Sequence, residues 1–271
     1  MGEVSMLSGR RWAKSGRADD EDFHDLLAHG LDVAAVLQVG LQSRPALVAR
    51  IADALEMSTA ATLAFLGAMA ALHDVGKAAA SFQFLDPALA RRLGLRRGIC
   101  ADYDRNRNGH DRIGHAILDE IAREGGLFSP AIPRAQAEEI IGVFAYHHGA
   151  AKAPGGDDCY LSADRDYALS MVRLVKELFG WDGTAPDVAR LRPMSYLING
   201  ALNLADWIGS DSRIAYVREV ADPAGYLRRA REQAAELIRL IRPSLFTQPD
   251  VPEPLSFDEL FPEFAGHGWT P

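Results

Sequence analysis

Apolar residues along this chain recur at helical rather than strand spacing. From Pro45 to about Met57, Leu47, Ile51 and Leu55 fall at i, i+4 and i+8, which places them on one face of a helix. Ser58 or Thr59 can cap the next helix, whose body AATLAFLGAMAALHD is apolar almost throughout. The same reading predicts helices over about 112–124, 134–147, 164–180, 193–209 and 222–242. Glycine and proline mark loops between them, notably 94–109 and 149–160. No run alternates convincingly enough to predict a strand, and there is no internal repeat or low-complexity tract. The expectation is an all-α fold.

At Pro243 the pattern changes. The segment PSLFTQPDVPEPLSFDELFPEFAGHGWTP is rich in proline and acid and has no sustained helical period. Such segments behave as extended linkers. This predicts a folded domain over 1–242 and a Pro-rich extension over 243–271, as in a chain cut from something longer. Only the piece SFDELF has the makings of a helical turn.

Composition narrows the class. With 271 residues, 48% hydrophobic and 24% charged, the chain can bury a substantial core as an ordinary globular protein. No run reaches the roughly 18 consecutive apolar residues of a membrane span. The N-terminal MGEVSMLSGRRWAKSG lacks the apolar core of a signal peptide, so the expectation is a cytoplasmic protein without membrane contact. Cys100 and Cys159 show no CxxC spacing and make neither a disulfide framework nor a zinc ribbon. A net charge of −8 argues against duplex DNA held on a broad basic surface, since phosphate contacts supply most of such affinity.

Three placements of acid or imidazole stand out. His73-Asp74 closes a nearly all-apolar helix and runs into Val75-Gly76-Lys77. His147-His148-Gly149 ends the apolar stretch IIGVFAY, and Asp206 lies within ALNLADWIG. A charge at the end of a buried helix is costly unless paired or bound to a metal. Taken singly, each has an ordinary explanation: a hydrogen-bonded core histidine, or an aspartate capping a helix. Together they form a candidate metal centre. Imidazoles and carboxylates without thiolates suit divalent Mn, Fe, Co, Ni or Zn. Neighbouring helix residues diverge by about 100°, so Asp74 can bridge two ions with its two oxygens. Ion pairs about 3.5–4 Å apart clamp the attacking and leaving oxygens of a phosphodiester.

In chain order the motifs are AHGLDVAAV with His29, ALHDVGK followed by SFQF, GHDRIG, YHHG and LADWIGSD. Their order and content resemble the HD nuclease domain of the type I CRISPR helicase–nuclease, the effector recruited by Cascade. RRWAKSG resembles that family's N-terminal segment, particularly in subtype I-E, and the likeness spans roughly residues 10–215. The resemblance implies an HD-domain helical bundle and a metal-dependent nuclease acting on single-stranded DNA by two-metal hydrolysis. It implies one ion held by His29, His73, Asp74 and Asp206, and a second held by Asp74, His110, His147 and His148. Asp74 and Lys77 would be the catalytic pair, with Lys77 stabilising charge on the phosphate; a solvated lysine at a helix end is its alternative reading. His110 is preferred over His115, which is expected on a helix surface. Trp207 and Ser210 are expected to pack around and support Asp206. His24 and His267 have no matching role.

Delivery of the strand has a candidate too. Between Pro87 and Arg112 stand Arg91, Arg92, Arg96, Arg97, Arg105, Arg107 and Arg112, against Asp102, Asp104 and Asp111. This arginine-bearing stretch leads to His110 and could guide a single strand, or be an ordinary charged loop. Tyr103 is its one aromatic; Phe82 and Phe84 read as core. The chain carries no GxxxxGK[ST] motif and hence no ATP site of its own. The resemblance implies a helicase domain of the parent protein and the Cascade complex as partners. The competing readings are a generic HD phosphohydrolase acting on nucleotides and a catalytically idle binding module.

Overall fold

The computed structural model describes residues 9–16, 23–97, 103–105, 108–147, 159–243 and 245–247. Two short strands, β1 (Trp12–Ser15) and β2 (Phe23–Asp25), pair antiparallel with a bulge between Trp12 and Lys14. Ten helices follow among the described residues: α1 (Leu26–Gln42), α2 (Pro45–Leu55), α3 (Thr59–Leu72), α4 (Ala80–Gln83), α5 (Pro87–Arg92), α6 (His110–Arg123), α7 (Arg134–Ala145), α8 (Ser162–Phe179), α9 (Val188–Gly209) and α10 (Pro223–Ile241). A 3-10 turn, Val75–Ala78, joins α3 to α4. The all-α bundle expected from the sequence is what forms, with one addition. The sequence pattern does not reveal the ribbon, because strands of four and three residues are too short to display alternation.

Helix α1 is the axis of the bundle. Asp25 caps it, accepting hydrogen bonds from the N–H groups of Leu27 and Ala28. All its residues except Val39 and Gln42 are buried, and it packs chiefly on α10, α3 and α9. Periodicity does not mark it as a helix, because a helix apolar on every side has no polar face to create a period. Helix α3 is equally apolar but announces itself through Ser58, whose side chain accepts from the Ala61 N–H. With the following turn it is apolar and long enough to cross a membrane, yet most of it is buried inside this bundle.

Helix α9 starts five residues before the expected Pro193. Asp187 caps it through the Ala189 N–H, and Pro193 sits inside, forgoing one backbone bond. Beyond α10, Phe246 is fully buried, its ring seated over Gly40. Arg44 Nη1 holds the carbonyls of Leu245 and Thr247 at 3.1 and 2.9 Å. The backbone just past residue 242 thus stays on the bundle; the remainder of the expected linker, with SFDELF and His267, lies outside the described residues.

Two backbone approaches fix the geometry of the interior. A Cβ on Gly30 would overlap the carbonyl oxygen of Ala71, so α1 and α3 touch main chain to main chain. A Cβ on Gly76 would overlap the His110 carbonyl and the Gly114 nitrogen, pressing the 3-10 turn against the start of α6. Neither contact tolerates a side chain. Gly76→Ala is therefore expected to lower stability by about 2 kcal/mol or more. Gly200, exposed on α9 with no other atom within 4 Å of its Cβ position, is the control. Gly200→Ala should add about 0.5–1 kcal/mol. Thermal and denaturant unfolding of the two variants checks both signs.

Candidate metal centre

The elements converge on Asp74. It follows the last turn of α3 at φ −104°, ψ 13°, where the backbone leaves the helix and turns its carboxylate inward. The side chain is almost wholly buried, and its two oxygens face different groups. Oδ2 lies 3.2 Å from His29 Nε2, 3.4 Å from His73 Nε2 and 2.5 Å from Lys77 Nζ. Oδ1 lies 3.3 Å from His110 Nε2 and 3.6 Å from His147 Nε2. Asp206, on α9, brings its Oδ1 within 3.4 Å of His29 Nε2 and 3.8 Å of His73 Nε2. Six of the seven residues expected as ligands are thus brought together from α1, α3, α6, α9 and the end of α7. The seventh, His148, lies outside the described residues.

The ring orientations are set locally. His73 Nδ1 is 2.7 Å from the Ala70 carbonyl, and His147 Nδ1 is 3.2 and 3.1 Å from those of Phe144 and Ala145. A carbonyl only accepts, so each Nδ1 carries a proton and each Nε2 is turned to the cluster, where it can ligate an ion once it carries no proton of its own. Tyr103 OH stands 3.1 Å from His110 Nδ1 and accepts the His110 N–H. Sequence reasoning identifies Tyr103 only as a solitary loop aromatic; its link to His110 arises from the fold. Ser210 Oγ donates to Asp206 Oδ1 at 3.1 Å, the supporting contact expected of it.

Two expectations are corrected. His115 is buried rather than on the surface: its ring stacks on Tyr146 at 5.2 Å and its Nε2 lies 3.3 Å from the Glu138 carbonyl. It faces the adjacent α7 and joins none of the metal-competent groups among the described residues. Trp207 does not pack around Asp206 but is 74% exposed. His24, without a role in the family pattern, has a structural one. Buried, it accepts the Val217 N–H on Nδ1 and donates from Nε2 to Asp32, which Tyr226 OH also contacts through both oxygens. This closed network lies behind His29, whose ring is 6.3 Å from that of His24.

The donor set fits divalent metal. Among the described residues, three groups can offer ligand atoms within 4.8 Å of one another: His29/His73/Asp74, His73/His147/Asp206 and Asp74/His110/His147. His73 Nε2 and Asp74 Oδ1 are buried without a hydrogen-bond partner among the described residues. Orphaned buried polar atoms are costly, and cations bound at the cluster would satisfy them. The electrostatics agree. Burial disfavours a charged His73, but Asp74 and Asp206 outweigh it and raise its pKa to about 10. Burial would push Asp74 and Asp206 up, yet Lys77, His73 and His110 hold Asp74 well below the carboxylate range, and His29 and His73 do the same for Asp206. For His29 burial wins, and its pKa falls. The cluster keeps two carboxylates charged in a buried place and holds a proton where a cation could sit.

A metal ligand must be deprotonated. Near neutral pH, His73 with its raised pKa carries a proton that an incoming ion displaces. Loading with Mn or Co is expected to release about one proton and to tighten as pH rises. Calorimetry in buffers of different ionisation enthalpy measures this. In the same titration, His110→Ala should weaken binding by about 10–100-fold while His115→Ala leaves it unchanged.

Comparison with known proteins gives one answer. The family described as Cas3, HD domain, matches residues 12–215. The CRISPR-associated endonuclease/helicase Cas3 of Thermus thermophilus is 29% identical over 267 residues, covering 93% of this chain and 27% of that protein. The chain thus spans about a quarter of the length of the curated relative it matches. The crystal structure of the Thermus thermophilus cas3 HD domain in the presence of Ni2+ superposes with a TM-score of 0.63 at 23% identity, covering 88% of this chain and 92% of that one. The T. fusca Cas3-AMPPNP structure superposes at 0.71 with 20% identity, over 95% of this chain and 29% of that one. At such identities the superpositions speak to the fold, while the family match runs from β1 past Asp206. The chain belongs to the Cas3 HD-domain family, a family of CRISPR-associated HD nucleases.

Proposed function

We propose that this chain hydrolyses phosphodiester bonds of single-stranded DNA with two divalent transition-metal ions, in the cytoplasm, as the nuclease step of type I CRISPR interference. The observation that carries the reading is the division of Asp74: one oxygen faces His29 and His73, the other His110 and His147. Two neighbouring donor sets sharing one carboxylate match the requirement for a pair of ions clamping one phosphate. His29, His73, Asp74 and Asp206 would hold the first ion, and Asp74, His110, His147 and His148 the second. When bound, such ions neutralise charge on the phosphoryl oxygens and acidify water to give a nucleophile near neutral pH. The Nδ1 contacts of His73 and His147 keep both rings aimed at the shared site. Lys77 lies beside Asp74, where its ammonium can meet a phosphoryl oxygen.

An acidic domain needs help to acquire DNA. Arg91 and Arg92 close α5, and Arg112 stands in the first turn of α6, next to His110; Arg107 lies outside the described residues. Tyr103 is engaged with His110 and Phe82, so it is not a free stacking platform. Guidance by these arginines would be electrostatic. A single strand would be supplied by the helicase domain of a longer parent protein, and that protein brought to its target by Cascade.

The test is cleavage of circular single-stranded DNA by the purified chain with Mn, Co or Ni, without ATP. Linear product should appear, a chelator should stop it, and Asp74→Ala should lower the rate by at least about a hundredfold. Turnover of mononucleotides with the circles intact would replace this reading with a generic phosphohydrolase. Tight ion binding with no hydrolysis of either substrate would leave a binding module.

A further inference from the structure

The ribbon is a small element with unusually firm attachments. Arg11 Nε donates to the Ala78 carbonyl at 3.0 Å, and its Nη2 reaches Asp164 Oδ1 at 3.2 Å, all within the interior. Gln83, fully buried, grips the next residue. Its Oε1 accepts the Trp12 N–H at 3.1 Å, and its Nε2 donates to the carbonyls of Trp12 at 2.8 Å and Lys77 at 2.6 Å. The Trp12 indole N–H returns to the Gln83 carbonyl, and its ring lies 4.8 Å from that of Phe82. Apart from Asp164, every one of these attachments falls between residues 77 and 83, directly after Asp74. Strand β1 and the segment carrying Asp74 therefore form one unit.

The residue this unit delivers is Lys14. In the ladder it lies opposite His24, whose ring neighbours that of His29. Its ammonium feels Asp206, Asp74 and Asp32 as attractions and Lys77 as a repulsion. It is half-buried, yet among the described residues it makes no side-chain hydrogen bond or ion pair. Burial keeps its pKa below that of an ordinary lysine. Lys77, by comparison, is already engaged by Asp74 and lies over the Phe82 ring. A partly desolvated cation with no side-chain hydrogen bond or ion pair among the described residues, on a strand anchored to the segment after Asp74, has room for one more anion.

We propose that Lys14 is a substrate-binding residue at the rim of the metal centre, where its ammonium contacts a backbone phosphate of the bound single strand. The proposal rests on the nuclease reading above. The ribbon then does more than pack: it places a second cation in the field of the same carboxylates as Lys77. The competing role is charge balance, with Lys14 merely offsetting Asp32, Asp74 and Asp206.

Initial rates on an oligothymidylate with the Mn-loaded chain, over a salt series, separate the two. Lys14→Gln should raise KM about fivefold at low salt and change kcat less than about twofold. The slope of log KM against log salt should fall by about 0.7, the signature of one lost single-strand phosphate contact. Lys14→Arg should restore both, and the melting temperature of the metal-free protein should stay put. An unchanged KM and slope, or a lowered melting temperature with an unchanged slope, overturns the assignment in favour of charge balance. So does an arginine variant as impaired as the glutamine one. If the wild-type chain fails to cut the oligonucleotide, the nuclease reading falls and takes this assignment with it; if it cuts and Lys14→Gln matches it, only the assignment falls.

Discussion

Burial of the Asp74 carboxylate is the constraint to which the rest of the structure answers. A carboxylate only 2% exposed carries a heavy desolvation penalty unless positive or proton-donating groups surround it. Here the surroundings come from separate parts of the chain: His29 from the axial helix, His73 from its own helix end, Lys77 from the turn, His110 from α6 and His147 from the end of α7. No local segment could supply them all. The tight approaches at Gly30 and Gly76 press α1 on α3 and the 3-10 turn on α6, the elements on either side of that carboxylate.

Around this centre the polar groups are arranged in depth. The Nδ1 atoms of His73 and His147 are anchored to main-chain carbonyls, His110 to Tyr103, and Asp206 to Ser210. Behind His29, the His24–Asp32–Tyr226 network satisfies another buried carboxylate without recruiting the cluster. A second buried histidine near a metal centre can thus be structural, and its hydrogen bonds show which it is: both ring nitrogens of His24 are used within the protein. His73 leaves Nε2 for a ligand.

The overall charge and the charge at the site are set separately. A net −8 limits what the chain can bind unaided, while at the cluster Lys77 and a protonated His73 balance the buried carboxylates of Asp74 and Asp206.

The sequence alone determined the helical class, most helix positions and the residues worth suspecting, because apolar periodicity and an unpaired charge at the end of an apolar helix are local features. It misleads or falls silent where the deciding feature is not local. Helix α1 is buried on all sides and shows no period; the ribbon is too short to show one. Trp207 and His115 exchange their expected places, since which face of α9 or α6 meets a neighbour depends on packing partners far along the chain. Lys14 and Tyr103 carry no signal beyond their neighbourhood in sequence. Only the tertiary structure turned one oxygen of Asp74 toward α1 and α3 and the other toward α6 and α7, because His29, His110 and His147 are far from it in sequence and meet it only in the folded bundle.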